Sequence, residues 1–407
     1  MLLHSVEITG GDQPGRVRVL GRVRYDGDGL EEVIWFDLPA ALESQLSSSG
    51  HPWLVALLPL AVSLQEPLRI TVPVDPFLLE GCRAVLDVWK AWDSARDPIP
   101  IEAPTIAPPH RSDPASTGLF FSGGVDSFYS LLRRNGPEAN STRPPVTDLI
   151  LIHGADIPLA NAEAFNRLRP RLAEVADQLG IELVDISTNA RETRWGRANW
   201  PLLSHAALLI AAGLVLEPRF ARLLIASSAP YEQLQPYGSH PITDPLFSTS
   251  HTRVIHDGAD TDRPEKITYI GSHPAVLQHL RVCWIGRNDS NCGRCPKCLN
   301  AMMGLELAGT LAKCQTLPRS IEPAIYRQVY FESQGTYPAY GIVRGLRQRA
   351  WLAGRRDLVA LMDQALARSD RLRLTRDVLE GLARRGLIPT RLSQRLVARI
   401  FRSSVRY

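Results

Sequence analysis

The sequence predicts an α/β fold, a doubly wound parallel sheet carrying a four-cysteine zinc motif, with an α+β segment before it and a helical segment after it. Three observations predict this. Strand-like and helix-like runs alternate from Gly118 to Ser228, the pattern of parallel βαβ units with helices on both faces. A Ser-Gly-Gly turn, Ser122 to Gly124, separates the first of these strands from the first helix. Four cysteines, Cys283, Cys292, Cys295 and Cys298, fall within sixteen residues.

In chain order, the first segment spans residues 1–112. RVRVLGRVRY (16–25) and EEVIWFDL (31–38) have the β-branched and aromatic content of strands and are bounded by Gly and Asp. FLLEGCRAVLDVWKAWDSA (77–95) repeats its apolar residues near helical spacing. The proline-rich stretch 97–116 reads as a linker, because proline removes amide donors and fixes φ. The second segment, 113–314, supplies strands at 118–122, 148–155, 181–187 and 222–228. Helices are expected at 125–132, 165–180 and 201–217, the last with few charges and therefore buried. In such a sheet, ligands sit beyond the carboxyl ends of the strands. The third segment, 315–407, reads as helical and rich in arginine.

Composition bounds the function classes. The 407 residues are 44% hydrophobic and 22% charged, ordinary for a globular chain of two or three domains. A core of that size folds without disulfides. No run of 18 apolar residues occurs, so no membrane span is expected. The opening MLLHSVEITGG lacks the charged and apolar blocks of a signal peptide. Together these lead to the expectation of the cytoplasm, a reducing compartment where clustered cysteines ligate metal. The net charge of +4 is unevenly placed: residues 343–407 hold sixteen arginines and five acidic residues. That tail reads either as a solvated helical surface or as a face for an anionic partner such as RNA or an acidic protein.

LFFSGGVDSF (119–128) has the context of a phosphate loop: a strand, two glycines, then a helix. Glycine lets backbone approach an anion closely and accepts positive φ. The helix start supplies free N–H groups and the positive end of its dipole. Ser122 and Ser127 add hydroxyls, and Asp126 would repel phosphate unless it holds Mg2+. No Lys-Ser/Thr ending follows, so the loop is not a Walker A site. The cysteines have the spacing C-x8-C-x2-C-x2-C. Short C-x2-C knuckles place two sulfurs on one tetrahedral ion, and four thiolates leave no open position, so the site reads as structural zinc. Gly293 and Pro296 favour the knuckles, while Arg294 and Lys297 offset thiolate charge.

SGGVDS resembles the phosphate loop of the N-type ATP pyrophosphatase (PP-loop) superfamily, whose catalytic domain is Rossmann-like. These enzymes cleave ATP between its α and β phosphates, transfer AMP to a substrate oxygen, and let a nucleophile displace it. The resemblance implies that Ser122, Gly123, Gly124, Val125, Asp126 and Ser127 cradle pyrophosphate. It also sets backbone near Ile152 and His153 beside the adenosine, although His153 reads equally as a strand-end histidine.

The loop followed by the four cysteines resembles the 7-cyano-7-deazaguanine synthase family, over about residues 118–310. That family adenylates 7-carboxy-7-deazaguanine, adds ammonia, and dehydrates the amide to a nitrile, using ATP, Mg2+ and a structural Zn2+. By this resemblance Lys266, in EKITYIGSHPAVLQHLRVCW (265–284), sits near the ATP phosphates; a helix-surface lysine is the other reading. The chain departs from the family in its long segments before the loop and after the cysteines, and in the loop 229–252. There Tyr231, His240 and Asp244 are candidates to read a purine-like edge, or parts of a structural loop.

The architecture more loosely resembles enlarged members of the family encoded in bacterial anti-phage defence clusters. That resemblance implies that the acceptor is an amine on a partner protein. Further readings are a tRNA-modifying PP-loop enzyme and an inactive binding module. No cysteine lies between Gly118 and Val282, which argues against thiolation, and the intact Asp126 argues against inactivity. The expected partner is thus a small-molecule carboxylate such as a 7-deazaguanine, with a partner protein as acceptor in the alternative reading. Nucleic acid is admitted by the tail but not favoured, no membrane is expected, and a homodimer stays open.

Overall fold

The computed structural model describes residues 1–106, 116–139, 142–285, 288–333 and 338–402. Part of the expected linker, 107–115, and the end of the arginine-rich tail, 403–407, lie outside the described residues. The chain forms two compact units, Met1–Asp262 and Arg263–Tyr407.

The first unit is α/β. Its elements in order are β1 (Leu2–Gly10), β2 (Arg16–Arg24), β3 (Glu31–Pro39), α1 (His51–Leu64), β4 (Leu68–Ile70), α2 (Pro76–Trp92) and β5 (Ile101–Glu102). There follow β6 (Ser116–Phe120), α3 (Val125–Asn135), β7 (Asp148–His153), α4 (Ala162–Leu179), β8 (Glu182–Thr188), α5 (His205–Leu214), β9 (Phe220–Ala226) and β10 (Arg253–Asp257). Among the described residues these ten strands lie in one sheet, ordered β10-β9-β6-β7-β8-β3-β2-β1-β4-β5.

The half of the sheet from β10 to β8 is parallel throughout. Its chain order runs outward from β6 in both directions, with β7 and β8 on one side and β9 and β10 on the other. The winding therefore reverses between β6 and β9, where sheets of this kind bind ligands beyond the strand ends. Both faces are covered. Phe120, Ile150, Ile152, Val184, Ile186 and Leu223 share one buried cluster with α1 and α5. Leu119, Leu149, Leu151 and Leu224 alternate with them and are also buried, facing the other way.

Strands β1, β2 and β3 form an antiparallel meander. It joins the parallel half antiparallel through β3 and β8, where Phe36 pairs with Thr188 and Asp37 with Ser187. Side chains reinforce the join. Asn189 accepts from the Trp35 N–H (2.9 Å) and donates to the Val33 carbonyl (2.9 Å). Arg16 donates to Asp37 and to Asp185, each at 2.6 Å. Helix α1 is apolar on every side and buried from His51 to Val62, as an all-apolar helix must be. At its start the His51 Nε2 accepts from the Asp75 N–H (2.8 Å). The Nδ1 must then carry the proton, and it donates to Glu217 at 2.6 Å.

The second unit is helical: α6 (Arg263–Ile270), α7 (Pro274–His279), α8 (Pro296–Leu307), α9 (Pro323–Gln328), α10 (Ala339–Leu352), α11 (Arg356–Arg384) and α12 (Thr390–Arg402). Leu358, Val359, Leu361, Met362, Ala365 and Leu366 bury one face of the first half of α11. Among the described residues, no helix is long and apolar enough to cross a membrane.

Candidate functional site

The loop between β6 and α3 lies at the reversal of the sheet. Leu119 and Phe120 are held in the parallel ladder, and the Phe121 N–H still donates to the Ile150 carbonyl (2.9 Å). The chain then breaks away at Ser122, which is exposed. Gly123 has φ +74°, a left-handed conformation that an L side chain would strain, so glycine is required at this turn. Gly124 is the N-cap of α3, and no side chain caps that helix. The helix ladder begins with the Phe128 N–H on the Gly124 carbonyl (3.0 Å). Asp75 caps α2 and Asn161 caps α4 with their side chains, whereas α1, α5, α10 and α11 share with α3 an N-cap residue that makes no side-chain bond. The α3 terminus thus presents the feature that binds anions: helix-start amides without a capping side chain.

Asp126 is half-buried in the first turn of α3. Ser127 is buried, and its hydroxyl donates to the Gly124 carbonyl (3.1 Å), bracing the turn. Val125 is buried beneath it. His153 ends β7 with a buried ring that stacks on Phe165, centroids 4.2 Å apart and planes 10° from parallel. Its Nε2 lies 3.1 Å from the Pro158 carbonyl, and burial pushes its pKa below the ordinary imidazole value. The imidazole is therefore engaged, leaving the backbone of His153 as what this strand end can offer a ligand.

The segment 229–252 follows β9, the other strand at the reversal. Tyr231 is 58% exposed. His240 is buried edge-on to Trp92 of α2, with centroids 4.9 Å apart. Asp244 is fully buried and its carboxylate is used up. It accepts from Ser239 Oγ (2.7 Å), from the His240 N–H (3.0 Å) and from His256 Nδ1 (2.7 Å). Tyr231 is thus the one of these three that faces solvent. Helix α2 braces the segment further, because Asp75 also accepts from the Ser250 N–H (2.6 Å).

Sequence reasoning missed two features near these strand ends. Trp200–Ser204 forms a π-helical turn entering α5, a distortion common at functional sites. The Trp200 ring meets Trp195 and His205, and the Arg191 guanidinium lies 4.2 Å over it. The second feature is a clamp on α3. Arg133 binds Asp260 through both nitrogens (2.7 and 2.9 Å), and the Tyr129 hydroxyl meets Thr261 at 2.8 Å. The clamp has no local signature, since its partners lie 127 and 132 residues apart in the chain.

In the second unit, Lys266 lies on α6 and is buried, 1% exposed. Cys283, Cys292, Cys295 and Cys298 come together with every sulfur within 4.8 Å of the others. The Cys283–Cys295 and Cys292–Cys298 sulfur separations are both 3.9 Å. Tetrahedral Zn–S bonds of about 2.3 Å require sulfurs about 3.8 Å apart, so these two pairs match zinc spacing and the four thiols fit zinc in type and number. Gly293 takes φ +69° at the first knuckle. Cys295 caps α8, its sulfur accepting from the Cys298 N–H. Asn291 organises the cradle. It accepts from the Val282 and Cys283 N–H groups (2.9 and 3.1 Å) and donates to the Leu280 and Thr316 carbonyls (2.8 and 3.1 Å). Lys297 places its ammonium 3.9 Å over the Trp284 ring. This four-cysteine group could hold a metal such as zinc.

Compared with known proteins, the chain matches no family model, no curated protein and no solved structure.

Proposed function

We propose that the first unit binds ATP at the loop between β6 and α3, adenylates a carboxylate with release of pyrophosphate, and lets a nitrogen nucleophile displace AMP. One observation carries this reading: the uncapped start of α3, with Gly123 in the left-handed region, lies where the parallel strands reverse. Backbone amides from Gly123 to Ser127 would hold the pyrophosphate, and Ser127 would fix the turn through Gly124. Asp126 would hold Mg2+, which supplies charge neutralisation to the departing pyrophosphate. Exclusion of water protects an acyl-adenylate from hydrolysis. The motif resemblance favours 7-carboxy-7-deazaguanine as the carboxylate and makes the chain a ligase like 7-cyano-7-deazaguanine synthase. We further assign a structural zinc to Cys283, Cys292, Cys295 and Cys298, in keeping with a reducing, cytoplasmic setting.

The test incubates the purified protein with Mg-ATP and 7-carboxy-7-deazaguanine, with and without ammonia, and follows AMP, pyrophosphate and product mass. Amide or nitrile formation that needs ammonia supports the synthase-like enzyme. AMP release that depends on the carboxylate but ignores ammonia keeps the activation step and moves the acceptor to another amine, such as one on a protein. Asp126→Ala is expected to lower AMP release by about a hundredfold or more with unchanged melting temperature. AMP release at the wild-type rate in that variant would sink the loop assignment.

A further inference from the structure

Helix α11 changes character at Ser369, its last buried residue. Beyond it runs a stripe, begun by Ala367, of Arg371, Leu374, Val378 and Gly381, continued by Arg385 at the C-cap of the helix, spaced alternately by four and three residues. That interval keeps all six on one face, the seam of a helix built to meet another helix. Among the described residues, nothing covers its centre. Leu374 is 66% exposed and Val378 52% exposed, and a Cβ on Gly381 would meet nothing within 4 Å.

Charge decides what fits there. Asp370 and Asp377 beside the stripe already pair with Arg373 and Arg376. Arg371 and Arg385 form no ion pair among the described residues, and each lies seven positions from Val378. A second copy packed antiparallel about Val378 would set Arg371 against Arg385. A parallel copy would set each arginine against itself. Both arrangements are repulsive, so the stripe is marked against self-pairing. Nucleic acid would use the arginines but leave the leucine and valine exposed. A partner helix with an apolar seam and flanking acidic residues uses both.

We propose that the second half of α11 is a docking surface for an acidic amphipathic helix of another protein. Leu374 and Val378 form the apolar centre, and Arg371 and Arg385 select acidic flanks.

The test measures binding of the full chain to a labelled helical peptide of about four heptads, with Leu at the a and d positions and Glu at e and g. A matching peptide carries Lys at e and g. The Glu peptide is expected to bind saturably and the Lys peptide not to. L374S/V378S should weaken binding by about tenfold or more. R371E/R385E should weaken the Glu peptide and gain the Lys peptide. Both pairs of substitutions are exposed, and circular dichroism melting should show an unchanged fold. No saturable binding, equal binding of both peptides, or full affinity in L374S/V378S overturns the proposal. So does tighter binding to phosphatidylserine vesicles or duplex RNA that is lost in L374S/V378S. Sedimentation as a dimer that those substitutions abolish overturns it in favour of a second copy.

Discussion

Gly81 in α2 lies so close under the Leu246 carbonyl that a Cβ there would sit 1.9 Å from the oxygen. The contact ties an N-terminal helix to the segment 229–252 at the carboxyl end of β9. Two effects oppose each other in Gly81→Ala. Helix propensity alone would favour alanine by about 1 kcal/mol. The clash is with backbone, which cannot rotate aside, and overpacking of this kind costs about 1–3 kcal/mol or more. The steric term should win, giving net destabilisation in urea unfolding. A stabilised variant would show instead that the segment yields freely to α2.

A second cross-link holds the other side of the loop. Arg134 of α3 donates to Asp257 at the end of β10 (2.7 Å), with both side chains 5% exposed. Removing one member leaves the other charged and buried. Arg134→Leu should therefore cost about 3–5 kcal/mol, read from the urea midpoint at constant m-value. Adding Asp257→Asn should recover part of that loss, because the residual buried charge is gone. If the double variant is as unstable as the sum of the singles, the two residues are not coupled.

Much of the sheet was legible because its signals are local. The helix expected over 125–132 is α3, Val125–Asn135, and the strand over 148–155 is β7, Asp148–His153. The four cysteines were legible for the same reason: short spacing forces their sulfurs together. Elements without a period were not. Helix α1 is apolar all round and contains Pro59, so no stripe marks it. The join of β3 to β8 rests on backbone pairing at Phe36 and Asp37 and on Asn189, 154 residues beyond Trp35, for which no sequence pattern exists. Asp244 reads in sequence either as a candidate to meet a purine-like edge or as part of a structural loop. Its burial against His256 depends on where β10 lies. Asn291 offered only a position beside Cys292, while its role comes from four hydrogen bonds to separate stretches.

Burial of His153 makes stability depend on pH in a definite direction. Desolvation lowers its pKa in the folded chain, while the Pro158 carbonyl raises it less. The unfolded chain takes up a proton near pH 6.5, roughly the value of free imidazole, where the folded chain does not. The stabilisation is thus fully present above about pH 6.5 and declines as pH falls through that value. His240 is lowered mainly by burial too and adds in the same sense. His153→Phe keeps an aromatic ring against Phe165 but loses the bond to Pro158. It should cost about 1 kcal/mol at neutral pH and flatten the slope of unfolding free energy between about pH 6.5 and 5. An unchanged slope would mean that His153 is protonated as readily folded as unfolded.

The cysteine cluster separates the role of the ligands from that of their support. The purified protein is expected to carry about one zinc per chain and no visible charge-transfer absorption, since zinc has no redox or d–d chemistry. Cys298→Ser removes a buried thiol from the first turn of α8 and, if zinc is held there, should lose both the metal and the melting transition of the second unit. Asn291→Ala leaves all four thiols in place but frees the Val282 and Cys283 amides and the Leu280 and Thr316 carbonyls. It should bind zinc about 10- to 100-fold more weakly in chelator competition while still folding when zinc is in excess. Rescue by excess zinc distinguishes a misplaced ligand set from a broken one, because mass action restores only a site whose donors remain. A metal-free Cys298→Ser chain that melts like the wild type would show that the four sulfurs pack together without holding the unit.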